Sequence, residues 1–209
     1  LARQEKQSEG IRELEEALAL AKAANLAKEE VEALLALGLL SSFRRGIGNR
    51  RGYLEQAEKK IGEIKDASVR VLYFRAKAAA CQDERNRAGA EEALRSALQC
   101  CEKAKDDKEN NLETQACVVR SELIILLCEQ DRHAEAAKFV TACDTHARTH
   151  VNDEDGELMQ AAMSAGILWA LKSGNEADAV RRIQELEAVA KTAHQAGRIG
   201  GQLLNMANN

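Results

Sequence analysis

Apolar and small residues recur along this 209-residue chain at i, i+4 and i+7, the spacing that lines one face of a helix. Five segments share the pattern: Gly10 to Ala17 around Leu14, Arg50 to Ala57 around Leu54, Ala90 to Ala97 around Leu94, Ala136 to Cys143 around Val140, and Ala179 to Leu186 around Ile183. Their starts at 10, 50, 90, 136 and 179 lie 40, 40, 46 and 43 residues apart, which is a long-period repeat. A second set of helix-periodic segments alternates with them, from about Lys28 to Arg44, Ser68 to Asp83, Leu112 to Gln130 and Glu157 to Lys172.

Break signals separate the helices. Lys172-Ser173-Gly174-Asn175-Glu176 places a glycine where a left-handed residue would end a helix, and Gly46, Gly48 and Gly197 punctuate elsewhere. Asp66-Ala67-Ser68 and Asn110-Asn111 offer caps for the helices that follow them. The pattern predicts helix pairs near 28–65, 68–105, 112–150 and 157–196 in a single domain over 1–209, roughly nine helices and part of a tenth. Leu1 to Asn25 reads as the second helix of a further pair, and Ile199 to Asn209 as the start of another. Those incomplete ends, and a first residue of Leu rather than Met, lead us to expect a piece of a longer protein.

Several segments resemble the tetratricopeptide repeat. They are Leu34-x-x-Leu37-Gly38 followed by a helix with Leu54 and Ala57, Gly174-Asn175-Glu176-Ala177-Asp178-Ala179-Val180, and Ala134-Glu135-Ala136-Ala137-Lys138-Phe139. The period exceeds the 34 residues usual for the family, as in the kinesin-light-chain type of repeat. The closing proline is missing everywhere, and Ser41 stands where a tyrosine is usual. The resemblance implies an all-α fold, a right-handed superhelical stack of antiparallel helix pairs (a TPR-like α-solenoid).

Composition agrees with an all-helical reading. Hydrophobic residues are 45% but aromatics only 3%, and there is no proline. An interior of Ala and Leu lets helix backbones approach, and the absence of proline suits long helices. A net charge of −4, with 31% charged residues of both signs, argues against nucleic-acid binding, which needs clustered cations. The apolar runs, such as Leu123 to Cys128, fall far short of the roughly 20 residues of a membrane span. Cys81, Cys100, Cys101, Cys117, Cys128 and Cys143 sit in helical apolar patterns without metal-type pairing, and the start of the chain is polar. They are expected to be reduced, in the cytoplasm or the nucleus.

Candidate chemistry is sparse. Cys143, His146 and His150, at i, i+3 and i+7, put a thiol and two imidazoles on one helix face, with His133 or Asp153 as further ligands. An amphipathic helix accounts for them without a metal, so no metal or other cofactor is expected. Arg44, Arg45, Arg50 and Arg51 surround Gly46 and Gly48 and could hold an anion if that segment is a loop. Cys100-Cys101 reads as packed thiols. Asn152 to Glu157 lacks the ligand spacing of a calcium loop. No catalytic motif is present, so the protein is not expected to be an enzyme.

The resemblance implies that the first helix of each pair lines a concave groove that takes a protein or peptide. It assigns partner contacts to Leu35, Leu39, Ser42 and Phe43, then Arg75, Ala79, Gln82 and Asp83, then Ser121, Ile125 and Cys128, and finally Ser164, Leu168 and Leu171. Chaperone-type members clamp a C-terminal carboxylate with lysines and asparagines at these places, and this chain has none there. An amphipathic helix or an extended segment with apolar anchors fits better. The expected function is a protein–protein interaction scaffold. The alternative is a regulatory sensor module that binds a small ligand or signal peptide and controls an attached effector domain.

Overall fold

Four of the turns between helices close in the same way. Asn25, Arg85, Asp131 and Gly174 take positive φ values of 54°, 58°, 58° and 76°, each two residues before a helix begins. The amide after each one reaches back five residues: Leu26 to Ala21 O, Asn86 to Cys81 O, Arg132 to Leu127 O and Asn175 to Ala170 O, at 2.8–2.9 Å. The left-handed residues themselves donate three residues back, to Lys22, Gln82, Cys128 and Leu171. This double bond pattern satisfies carbonyls that a helix end leaves open.

The computed structural model describes residues 2–41, 47–104, 112–150 and 156–189. Within them lie nine helices and no strand: α1 Ala2–Ala23, α2 Ala27–Ser41, α3 Ile47–Ile61, α4 Ala67–Asp83, α5 Arg87–Lys103, α6 Leu112–Cys128, α7 His133–His150, α8 Gly156–Lys172 and α9 Glu176–Val189. The protein is all-α. Asp66 caps α4, its carboxylate accepting from the amides of Ser68 (2.9 Å) and Val69 (3.3 Å). Gly48 is not in a loop, because α3 has begun at Ile47. Gly46, the Asn110-Asn111 cap, the acidic turn at 152–155, Gly197 and the C-terminal half-pair lie outside the described residues. Among the described residues no helix is long and apolar enough to cross a membrane.

The chain divides into two compact units, Leu1–Leu112 and Glu113–Asn209. In the first, α2 and α3 run antiparallel: Arg50 reaches Gly38, and Lys60 reaches Glu30 at 2.5 Å. Helices α3 and α4 do likewise, with Arg50 on Asp83 and the Tyr73 hydroxyl donating to Glu58 at 2.9 Å. Val31, Leu34, Leu35, Ala57, Val69, Tyr73 and Ala76 close the interior among them, with Leu39 packed against it. Each fully buried leucine contributes about 1.5–3 kcal/mol. In the second unit, Thr114 faces His146 and Cys117 faces Cys143, which fixes α6 and α7 as antiparallel. Ile124, Leu127, Val140, Ile167 and Leu186 form its interior.

The repeated small positions are the seams. Ala57, Ala90, Ala97, Ala136, Cys143 and Ala179 are buried, and so are the repeat residues Leu94, Val140 and Leu186. Small side chains there let neighbouring backbones come close.

Candidate functional site

Helix α2 divides its side chains by size. Its large apolar residues Val31, Leu34, Leu35 and Leu37 are consumed by the interior. Its small ones, Ala33 and Ala36, face a hollow of about 410 Å³ in the first unit. Leu14 and Ala17 of α1 and Val69 and Leu72 of α4 complete an apolar lining, and Glu29, Glu32 and Ser68 stand with it. The hollow is open to solvent. It suits an inserted side chain or helix ridge more than an enclosed small molecule.

The rim is acidic. Glu32 lies near both Glu29 and Asp66, and the local lysine, Lys28, is engaged with Asp66 at 2.6 Å and approaches Glu32 only to 3.9 Å. Partial burial raises the proton affinity of Glu32, Lys28 opposes that, and the neighbouring carboxylates Asp66 and Glu29 raise it further. Glu32 is thus a carboxylate whose surroundings under-compensate its charge.

The residues expected to meet a partner separate by burial and by what they touch. Leu35 is corrected: it is fully buried, with no surface left to touch, one residue away from the strip formed by Glu32, Ala36 and Leu39. Ser121, Cys128, Ser164 and Leu168 are also buried. The Ser121 hydroxyl donates to the Val118 carbonyl at 2.7 Å and the Ser164 hydroxyl to the Gln160 carbonyl at 2.9 Å. These four are packing residues, because their faces are covered within the fold. Leu39 and Ile125 are half-buried and pack against the two interiors. Arg75, Ala79 and Gln82 continue the strip of α4 that Ser68 and Leu72 begin, and Leu171 is exposed. Asp83 serves the fold, 2.9 Å from Arg50. Ser42 and Phe43 lie outside the described residues.

The two described arginines of the cluster are engaged within the chain. Arg50 is buried, donates from Nε to the Gly38 carbonyl at 3.0 Å, and pairs with Asp83. Burial lowers its proton affinity and Asp83 restores part of it. Arg51 is exposed and shared between Glu55 (3.0 Å) and Glu84 (3.2 Å). Arg44 and Arg45 lie outside the described residues. Both described arginines are satisfied by the chain itself.

Cys143 and His146, the described part of the thiol–imidazole face, both meet α6. Cys143 meets Cys117, and His146 Nε2 lies 3.2 Å from Thr114 Oγ1. The His150 side chain and Asp153 lie outside the described residues. Among the described residues no three His, Cys, Asp or Glu side chains are grouped to hold a metal. All six cysteines are free thiols, and burial pushes Cys128 up to about 11.

Sequence reasoning missed Leu14, Ala17, Glu29, Glu32, Ala33, Ala36, Ser68 and Leu72. The spacing Glu29, Glu32, Ala33, Ala36 (i, i+3, i+4, i+7) was the available signal. Small residues on that strip leave room, whereas large ones fill it.

No family model and no curated protein matches the chain. The chain is similar in structure to the crystal structure of BtubC (BKLC) from P. vanneervenii, with a TM-score of 0.52 and 15% identity, covering 100% of this chain and 92% of that one. At that identity the likeness is one of fold alone.

Proposed function

We propose that this chain is a protein-interaction module, a tetratricopeptide-like stack of helix pairs, whose first unit takes an amphipathic helix of a partner into the hollow between α1, α2 and α4. The partner helix carries apolar residues at i, i+3 or i+4 spacing and Lys or Arg beside them. The observation that carries this reading is the pairing of an apolar lining with an acidic rim. Apolar anchors would supply affinity, and the carboxylates orientation and rate of encounter. The left-handed turns at Arg85, Asp131 and Gly174, each between the two helices of a pair, and the buried alanine seams support the repeat reading.

A photo-reactive residue at Ala36 tests the assignment. In a native lysate it is expected to cross-link to segments that have helical apolar spacing and basic flanks. The same label at Glu92, on α5, is expected not to capture them. Equal capture from both positions, or capture of acidic segments, would contradict the proposal.

A further inference from the structure

Helices α6 and α7 meet at two cysteines. Cys117 Sγ and Cys143 Sγ stand 3.6 Å apart. Each thiol also lies against the other's backbone: Cys117 Sγ is 3.5 Å from the Cys143 carbonyl, and Cys143 Sγ is 3.6 Å from the Cys117 carbonyl. Such reciprocity requires two close backbones with converging Cβ vectors. Ala116 on α6 and Ala147 on α7 are buried close in sequence to the two cysteines, and such small side chains keep the seam narrow.

A disulfide has its sulfurs about 2.05 Å apart and joins Cα atoms about 4.4–6.8 Å apart. Sulfurs 3.6 Å apart leave a gap of only about 1.5 Å to close. The two thiols are also unequal. Contact with Cys143 and the nearby Arg120 guanidinium hold Cys117 below the ordinary thiol range, whereas contact with Cys117 and burial push Cys143 up. Contact between the sulfurs places either thiol to reach the other once one of them is oxidised.

We infer that Cys117 and Cys143 are a redox pair, converted by a peroxide to a disulfide that ties α6 to α7 and returned to thiols by a reducing thiol. The Cys117 thiolate attacks one oxygen of hydrogen peroxide. The O–O bond breaks, and the departing hydroxide takes up a proton and leaves as water. Cys143 Sγ then attacks the Cys117 sulfenic sulfur, an S–S bond forms, and the S–O bond breaks. The Cys143 proton leaves with that oxygen as a second water. Two thiols are oxidised and one peroxide is reduced to two waters. Both sulfurs are buried, so opening of the α6–α7 seam gates the reaction. Once formed, the link closes a long loop, which restricts the unfolded chain more than the folded one.

The experiment is peptide mapping of the intact protein after hydrogen peroxide and alkylation. The expected result is a mass loss of about 2 Da, with a Cys117–Cys143 linked peptide that dithiothreitol abolishes. The oxidised protein is expected to melt about 5–10 °C higher than the reduced one. Cys143→Ser is expected to lack the link and to accumulate oxidised Cys117. Should that variant not fold, mapping of the unsubstituted protein decides alone. Recovery of Cys117 and Cys143 as alkylated thiols, while Cys81 and Cys100 are oxidised, would overturn the inference. So would a link that forms only in urea.

Discussion

Arg182 reaches Asp144 across the face of Gly166. Both charged residues are buried, and a Cβ on Gly166 would stand 2.7 Å from Arg182 Nη1 and 2.8 Å from Asp144 Oδ1. The same guanidinium donates from Nε to Asp178 at 2.7 Å and lies over the Trp169 ring, 5.7 Å from its centre. Trp169 in turn donates to the His133 carbonyl at 2.9 Å. Helices α7, α8 and α9 are thus tied by one buried pair that needs a bare backbone beside it.

Gly166→Ala is expected to destabilise the protein by about 1–3 kcal/mol, because the pair must shift without losing its partners. Arg182→Ala leaves the buried Asp144 carboxylate with only the more distant Arg148, 3.9 Å away, and is expected to cost about 3 kcal/mol. Urea unfolding measures both. A Gly166→Ala variant as stable as the parent would show that the pair yields freely.

The left-handed turns give a prediction of opposite sign. Arg85 holds φ 58° although its side chain gives no local reason to do so, whereas Gly174 holds φ 76° without a Cβ to clash. Arg85→Gly is expected to raise stability by about 0.5–1 kcal/mol, and Gly174→Ala to lower it by about 1 kcal/mol. Thermal melting checks the pair of changes. A destabilising Arg85→Gly would mean that its side chain holds the turn.

Asp66 sets an acid dependence. The Lys28 ammonium bonded to it, together with the amides of Val69 and Ser68, holds its carboxyl below the usual range despite partial burial. Its folded value therefore lies under its unfolded one. The stability it supplies is present above about pH 4, and is lost as pH falls through the folded value. Asp66→Asn keeps a cap acceptor but loses the charge, so the gap in stability between parent and variant is expected to narrow steadily below pH 4. Asp66→Ala, which loses the cap too, is expected to cost about 1 kcal/mol at neutral pH. A parent–Asn gap that stays constant from pH 6 to pH 3 would contradict the assignment.

The helices were legible because each one buries a face, and burial leaves its period in the sequence. Ala57, Ala136 and Ala179 show it directly, since the seam accepts only small side chains. The turns were less legible. Gly174 declares itself, and Asn25 and Asp131 are residue types that visit the left-handed region, but nothing in the identity of Arg85 advertises the same conformation. Arg50 read as a candidate anion ligand, because nothing local says that its guanidinium will find the Gly38 carbonyl on another helix. The hollow was misplaced for a related reason. A leucine reads as an anchor for a partner, yet on α2 the leucines serve the interior, and the space belongs to Ala33 and Ala36.

The proposed recognition by an acidic-rimmed hollow is tested most directly by affinity after charge reversal. The segment cross-linked from Ala36 is synthesised and titrated by fluorescence anisotropy against the parent and against Glu29→Lys/Glu32→Lys. Both carboxylates stand at the surface, so helicity and melting are expected to stay close to those of the parent. The predicted result is binding roughly tenfold weaker in the variant, and a parent affinity that falls as salt rises. Equal affinity of the segment for parent and variant, with both folded, would contradict the account.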